Sequence, residues 1–204
     1  MRKSKARQAI IDKAAKLIEK KGYSNLNVNE LAYAAKVSVG TLYHHFPKGK
    51  IDILAEVMSQ RTEWFVSEFN LQLGVEKLLE KGRSLDENLR WIFKKVIELR
   101  RHDQQFLLAL QIELLSNPKE YNEFVKRYQI TDGLQQAMGV LSEVLMKSAK
   151  SEIAGLDATR ENVDRIQRVV GLLMTYQIIF PHYFGDDDEF VDLASRVFFE
   201  ILKS

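Results

Sequence analysis

The sequence predicts an all-α protein in which an N-terminal three-helix helix-turn-helix domain is followed by longer helices. Three observations support this fold class. Apolar residues recur at spacings of three and four, and no segment reads convincingly as a strand. Two short helices, each preceded by a capping residue, follow one another closely near the N-terminus. The 204 residues include only 3 Pro and 10 Gly, which excludes collagen, Pro-rich linkers and low-complexity chains.

Cysteine is absent from the sequence. This excludes a disulfide framework, thiolate catalysis and any zinc or iron–sulfur site with Cys ligands. The longest uncharged apolar runs are too short to span a bilayer, and the basic N-terminus lacks the apolar stretch of a secretory signal. We therefore expect a soluble, cytoplasmic protein.

The charge is distributed unevenly along the chain. Residues 1–50 hold 11 Lys or Arg against 3 acids, a net charge of about +8, whereas residues 51–204 are acidic by about −6. A basic unit joined to an acidic one suggests two functions, and we expect domains at 1–50 and 51–204. The basic part is suited to a polyanion, with nucleic acid as the first candidate.

The first two helices are predicted from their ends. Helix 1 has an apolar face and ends at Lys20-Lys21-Gly22, because cations and then a glycine suit a helix C-terminus. Asn27 is predicted to cap a second helix over residues 28–35, with Glu30 placed as in a capping box.

The third helix is predicted over residues 39–45, with Ser38 as its cap. Pro47 and Gly49 break the chain after Phe46. A short helix, a tight turn and a second short helix form a helix-turn-helix unit packed on helix 1. The core predicted for this unit consists of Ile10, Ala14, Leu17, Leu31, Val37, Leu42 and Phe46.

Beyond residue 51 the pattern predicts long helices, of which the one over residues 160–180 is apolar on every side. Such a helix needs two partners to bury it. We expect one face to pack on its own domain and the other on the same helix of a second chain, with the last helix beside it. The predicted dimer interface comprises Val170, Gly171, Met174, Ile178, Val197, Phe198 and Ile201.

The segment Val37-Ser38-Val39-Gly40-Thr41-Leu42-Tyr43-His44-His45-Phe46, with Leu31-Ala32 before it and Lys50 after it, is the most specific signal. It resembles the DNA-binding domain of the tetracycline-repressor (TetR) family of transcriptional regulators. Arg7, Ile10, Ala14-Ala15, Gly22-Tyr23 and the helix over residues 51–58 extend the resemblance to roughly residues 7–58. It implies a homodimeric repressor with a helical effector-binding and dimerisation domain, which binds a near-palindromic DNA operator and is released by a small molecule.

The resemblance also implies which residues bind DNA. Val39, Gly40, Thr41 and His44 match positions near bases, Asn27, Tyr43, His45 and Lys50 match positions near phosphates, and Asn29 matches a position that reaches a base. The residue types agree, because small side chains from Ser38 to Thr41 let the helix backbone approach the bases. Gly40 within a helix costs up to about 1 kcal/mol, and close approach to DNA is one reason to keep it.

Three positions depart from the family pattern. Val28 stands where a second hydroxyl is common, so that a phosphate contact there falls to the backbone. Lys36 replaces the usual turn glycine, and a positive φ there would cost about 1 kcal/mol while the charge helps to hold DNA. Lys50 lies one place later than the family lysine, so Lys48 and Lys50 both remain candidates for the phosphate contact.

A ligand pocket between the middle helices is a further implication of the resemblance. The bulky and adaptable side chains there predict an apolar or amphipathic ligand, with a Tyr hydroxyl or Gln177 as polar anchor. The predicted pocket residues are Phe65, Phe69, Phe93, Phe106, Tyr121, Phe124, Tyr128, Met138, Met174, Tyr176 and Gln177.

No catalytic set, cofactor site or metal site is predicted. His44 and His45 are neighbours on a helix and point about 100° apart, which makes them poor partners for a metal. The run Asp186-Asp187-Asp188-Glu189 lacks EF-hand spacing and is predicted to begin a helix.

The residues alone do not exclude two other classes of function. One is an all-helical enzyme for an apolar substrate, in which His102, His182 and nearby acids would converge. The other is an interaction module whose basic head binds an acidic protein.

Overall fold

A computed structural model describes residues 4–73, 84–116 and 159–203, together with residues 118, 119, 122, 124 and 126. These residues form helices and no extended strand, which confirms the all-α prediction. The helices are α1 (Lys5–Lys21), α2 (Val28–Ala34), α3 (Val39–His45), α4 (Lys50–Leu73), α5 (Leu85–Arg101), α6 (Gln104–Ser116), α7 (Arg160–Ile179) and α8 (Asp187–Lys203).

The contacts divide the chain into two compact units. The first combines Met1–Trp64 with Asp103–Asp132, and the second combines Phe65–His102 with Gly133–Ser204. Helix α4 therefore begins in the first unit and ends in the second. The boundary predicted after residue 50 falls inside the first unit. The assignment of separate functions to residues 1–50 and 51–204 stays a prediction.

The caps of the first three helices are local and follow the sequence closely. Asn27 Oδ1 accepts hydrogen bonds from the backbone N–H groups of Asn29 and Glu30 at 2.8 and 3.1 Å. The Ser38 hydroxyl accepts from the Thr41 N–H at 3.0 Å, as predicted for the start of α3. The Glu30 carboxylate does not return a bond to Asn27, because it pairs with the Lys21 ammonium.

The core of the first unit contains the residues predicted for it together with side chains from α4 and α6. Ile10, Ala14, Leu31, Leu42 and Phe46 are buried, while Leu17 and Val37 are half-buried and pack against them. Helix α6 packs on α1 and adds Phe106, Ala109 and Leu110 to the same cluster. The small three-helix head thus gains apolar burial from residues more than 50 positions away.

A buried ion pair reinforces this packing. Arg61 on α4 pairs with Glu19 on α1 and with Asp103, whose carboxylate side chain is only 2% exposed just before α6 begins. The Arg61 guanidinium also lies 4.2 Å from the centre of the Phe106 ring. Because a buried carboxylate is costly unless it is paired, Arg61 holds α1, α4 and the start of α6 together.

In the second unit α5, α7 and α8 enclose an apolar core that includes Leu89, Phe93, Met174, Phe190 and Phe198. Ion pairs run along the α5–α8 contact and link Arg90 to Asp192, Lys94 to Asp188, and Arg101 to Asp187.

A carboxylate at the start of α5 adds to this contact. Burial raises the pKa of Asp86, but hydrogen bonds from Ser195 and Arg90 outweigh it and hold that pKa below its usual value. Its ionised form therefore stabilises the folded state above the ordinary Asp pKa, and this stabilisation is lost as the pH falls through the lowered pKa.

The acidic run begins α8 and caps it, as predicted. Asp186 Oδ1 accepts from the N–H groups of Asp188 and Glu189, both at 2.9 Å, and Glu189 accepts from the Asp186 N–H at 2.9 Å. Within the described ranges, no group of three His, Cys, Asp or Glu side chains could hold a metal ion.

None of the helices in the described part of the chain combines the length and the apolar character that a membrane crossing requires.

The Arg61 ion pairs give a stability prediction. Arg61→Met leaves the buried Asp103 carboxylate without its guanidinium, so we expect a loss of about 3 kcal/mol in the free energy of unfolding. Lys21→Met, which breaks the more exposed pair with Glu30 in the same unit, should cost less than about 1 kcal/mol. Urea unfolding of both variants measures the difference, and equal losses would contradict the role given to Arg61.

Candidate nucleic-acid interface

Helix α3 has one buried side chain and an outward face. Leu42 is fully buried, and Phe46 is buried directly after the helix. Val39, Gly40, Tyr43 and His44 are exposed, with Thr41 and His45 half-buried at the edges. The residues for which DNA contacts are predicted therefore share one accessible side of a helix that is held by its opposite side.

Gly40 is a position at which the fold does not require glycine. A Cβ atom built there would meet only the Ser38 Oγ at 3.7 Å, which is an ordinary van der Waals contact. Since alanine would fit and would favour the helix, the cost of glycine is not explained by packing within the chain. The bare backbone suits the close approach of another molecule to the start of α3.

Tyr43 combines a packing contact with exposure. Its side chain is 46% exposed, yet its ring covers Gly49, where an added Cβ would lie 3.3 Å from Tyr43 Cε1. Gly49 has a φ of +66°, a conformation that favours glycine. Tyr43 is thus fixed against the turn after α3 while part of its ring stays open to a partner.

The end of α3 lies beside the start of α1. His45 Nε2 is 3.3 Å from the Ser4 hydroxyl, and the His44 and His45 rings are 5.2 Å apart. Arg7 has a structural position, because its guanidinium pairs with Glu56 on α4 and lies 5.3 Å from the centre of the Phe46 ring. The hydrogen bond to Glu56 raises the pKa of Arg7.

The two candidate lysines have different surroundings. The Lys50 ammonium donates to the Ser24 carbonyl at 3.1 Å and lies 5.0 Å from the centre of the Tyr23 ring. Lys48 is exposed, and its backbone N–H donates to Asp52 at 2.8 Å. Lys50 is therefore held against the connector between α1 and α2, and which lysine contacts a phosphate stays a prediction.

Helix α2 contributes two exposed asparagines and an exposed tyrosine that was not among the predicted site residues. Asn27 and Asn29 are exposed at its start, as a DNA contact requires. Tyr33 is 87% exposed later on the same helix. Tyr33 follows the buried Leu31 by two residues, and side chains two positions apart on a helix point in different directions. This spacing could have indicated that Tyr33 is exposed.

The residues predicted for a ligand pocket fall in different parts of the structure. Phe106 and Phe124 belong to the core of the first unit, and Phe65, Phe69, Phe93 and Met174 to that of the second. Tyr176 is half-buried on α7, with ring contacts to Phe180 and Tyr183. Tyr121, Tyr128 and Met138 lie outside the described residues.

Gln177 has a different role from the polar anchor predicted for it. The side chain is fully buried, and its Nε2 donates to the Gly185 carbonyl at 3.1 Å and to Asp187 at 3.3 Å. Its Oε1 accepts from the Phe184 N–H at 3.3 Å. The Gln177 amide therefore forms its hydrogen bonds within the chain, and these bonds stabilise the turn between α7 and α8.

The predicted dimer interface is only partly at the surface. Val170, Met174, Ile178 and Phe198 are buried within the second unit, whereas Gly171, Val197 and Ile201 are accessible. Helix α7 instead exposes Val169 and Leu172, and Phe180 is exposed directly after the helix. Val169 also lines an open groove of about 570 Å³, together with Arg165, Arg196, Val197, Glu200 and Ile201.

Comparison with known proteins connects this geometry to a family. Residues 10–57 match the family described as bacterial regulatory proteins, tetR family. The fatty acid metabolism regulator protein of Bacillus subtilis (strain 168) is 29% identical over 130 residues, which are 61% of this chain and 63% of that protein. The chain spans between about a third and just under two thirds of the length of the curated relatives it matches.

The fold similarity extends over nearly the whole chain. The fatty acid degradation regulator FadR from Bacillus halodurans aligns with a TM-score of 0.69 at 22% identity, covering 97% of this chain and 96% of the other. FadR from Bacillus subtilis, solved in complex with stearoyl-CoA, aligns with a TM-score of 0.64 at 24% identity, covering 96% and 97%. Residues 10–57 thus match the tetR family of bacterial regulatory proteins, and the chain has the same fold as these solved regulators.

Proposed function

We propose that this protein is a cytoplasmic transcriptional repressor that binds a near-palindromic DNA operator as a homodimer and is released by a small amphipathic ligand. It has no catalytic role in this proposal. The observation that carries the proposal is the exposed start of α3, where Gly40 leaves the backbone bare although the fold has room for a side chain.

The head supplies both parts of DNA recognition. Its net charge of about +8 over residues 1–50 favours a polyanion and gives affinity that does not depend on sequence. Val39 and the methyl group of Thr41 are suited to thymine methyl groups, and hydroxyl and imidazole groups on the same face can form hydrogen bonds to base edges. In this arrangement α3 lies in the major groove.

Dimerisation is supported by the apolar surface of the second unit. Val169 and Leu172 on α7 are exposed, and the groove beside them has an apolar floor between charged residues. A two-fold axis would bring α7 and α8 of one protomer against the same helices of its partner. Two copies of α3 would then read two half-sites related by the same symmetry.

The ligand class comes from the relatives. FadR from Bacillus subtilis was solved with stearoyl-CoA, and an amphipathic ligand agrees with the aromatic side chains of the C-terminal region. We infer a fatty acyl-CoA. Release from DNA requires that the ligand bind more tightly to the conformation whose heads do not fit successive major grooves.

The first test concerns α3 directly. Selection from a random pool of duplexes should yield a near-palindromic sequence. On that duplex, Gly40→Ala should weaken binding at least tenfold, because the added methyl group keeps the backbone from the bases, while the thermal unfolding midpoint stays level or rises. Ser67→Ala, an exposed change on α4, should alter neither quantity. Unchanged affinity of the Gly40 variant would contradict the recognition role of α3.

A second prediction concerns the dimer. Leu172→Glu places a carboxylate on the proposed interface of both protomers, so we expect a monomer by light scattering at micromolar concentration. Leu71→Glu changes a leucine of α4 that is also exposed and should leave the dimer intact. A dimer that survives the Leu172 change would exclude this face of α7.

A third prediction concerns release. Stearoyl-CoA at micromolar concentration should weaken duplex binding by about 5- to 150-fold, the usual range of allosteric coupling. Free coenzyme A, which lacks the acyl chain, should have no such effect in the same fluorescence anisotropy titration. Equal effects of the two compounds would argue against an acyl-CoA effector.

A further inference from the structure

We propose that α2 and the turn after it carry a second DNA contact, in which Tyr33 and Lys36 hold the phosphate backbone beside the groove that α3 reads. This inference rests on the proposed DNA-binding function and adds Tyr33, which the family resemblance does not assign, to Asn29 and Lys36, for which the sequence already predicts a role at DNA. The surface formed by Asn29, Tyr33 and Lys36 is called the α2 stripe below.

The α2 stripe runs from the first turn of α2 into the turn that follows the helix. Asn29 and Tyr33 are four residues apart within α2, which places their side chains on one face. Lys36 lies just beyond the helix, where its backbone N–H donates to the Tyr33 carbonyl at 3.0 Å. Leu31, Ala32 and the capping residue Ala35 are buried in the core of the first unit, whereas the three residues of the stripe are exposed.

Tyr33 is an unusual residue to leave on such a surface. Among the large hydrophobic side chains in the described ranges it is the most exposed, at 87%. Tyrosine has a polar hydroxyl on a rigid apolar ring, and it is common where a protein contacts a partner. The hydroxyl can donate a hydrogen bond to a phosphate oxygen.

Lys36 is held in a strained conformation. Its φ is +57°, in the left-handed region where a side chain is disfavoured and glycine is not. No interaction within the described residues explains a lysine there, since neither an acidic side chain nor a carbonyl is in contact with its ammonium. A strained residue that gains nothing within its own chain indicates a gain from outside it.

The DNA backbone fits this surface better than another partner does. The stripe begins at Asn29, in the first turn that the proposed function already places against DNA, so the new contact continues an interface. Glu30, the acid of α2, is paired with Lys21, and the head carries a net charge of about +8. An exposed ammonium and an exposed phenol hydroxyl are both groups that bind phosphate oxygens.

Four variants of the full-length protein test the contact on the selected duplex. Lys36→Gln removes the charge and keeps the strain, Lys36→Gly removes both, and Tyr33→Phe removes only the hydroxyl. Lys16→Gln, which neutralises an exposed lysine of α1, is the control. Affinity is measured by fluorescence anisotropy between 50 and 300 mM KCl, and stability is measured by thermal unfolding.

We expect both Lys36 variants to bind about three- to tenfold more weakly, with the slope of log K against log salt concentration reduced by about one. Lys36→Gly should nevertheless unfold about 2–4 °C higher than the wild type, because the strain is gone. Tyr33→Phe should lose about two- to fivefold in affinity at unchanged stability. Lys16→Gln should bind as the wild type does.

Wild-type affinity and slope in Lys36→Gln and Tyr33→Phe would overturn the contact while the proposed function stands. The contact would also be overturned if the variants lost only the binding of a second dimer to the same duplex, because the stripe would then contact another protein molecule and not DNA. A wild-type protein that binds no duplex would overturn the proposed function together with this contact.

Discussion

The first unit depends on the burial of two side chains, Leu42 and Phe46. A helix of seven residues does not form by itself in water, so α3 exists only because these side chains are taken into the core below it. Their burial also decides which residues of α3 remain outside. The outward face is therefore a consequence of how the core is filled.

The support for that core comes from farther along the chain than the helix-turn-helix segment. Helix α6 packs on α1, and Arg61 pairs with one acid on α1 and another just before α6. The first three helices are thus stabilised by Asp103, Phe106, Ala109 and Leu110 as well as by α4. A change at the start of α6 would therefore alter the core that holds α3.

The helix caps, which depend on residues close together in the sequence, were predicted best. The caps at Asn27 and Ser38 and the cap at Asp186 depend on side chains within three residues of the amides they bind, and all three form. Glu30 shows the limit of that reasoning, because Lys21 of another helix takes the carboxylate that a capping box would use.

The features that the sequence did not predict involve long-range packing. Periodicity marks α7 as apolar all round, but it does not say that Val170 and Met174 face the core while Val169 and Leu172 face outward. Gln177 is buried because the turn after α7 folds back on it, and no spacing in the sequence gives that turn. Exposure of Tyr33 likewise depends on how α2 sits on α1 and α3.

The central claim is that the basic head binds duplex DNA through phosphate contacts combined with base contacts from α3. The most direct test is the affinity for a selected duplex and for an unrelated duplex as the salt concentration rises. The account predicts a steep linear fall of log K with log salt concentration for both duplexes, and an affinity for the selected one higher by about 10³-fold or more. A flat salt dependence, or equal affinity for the two duplexes, would contradict it.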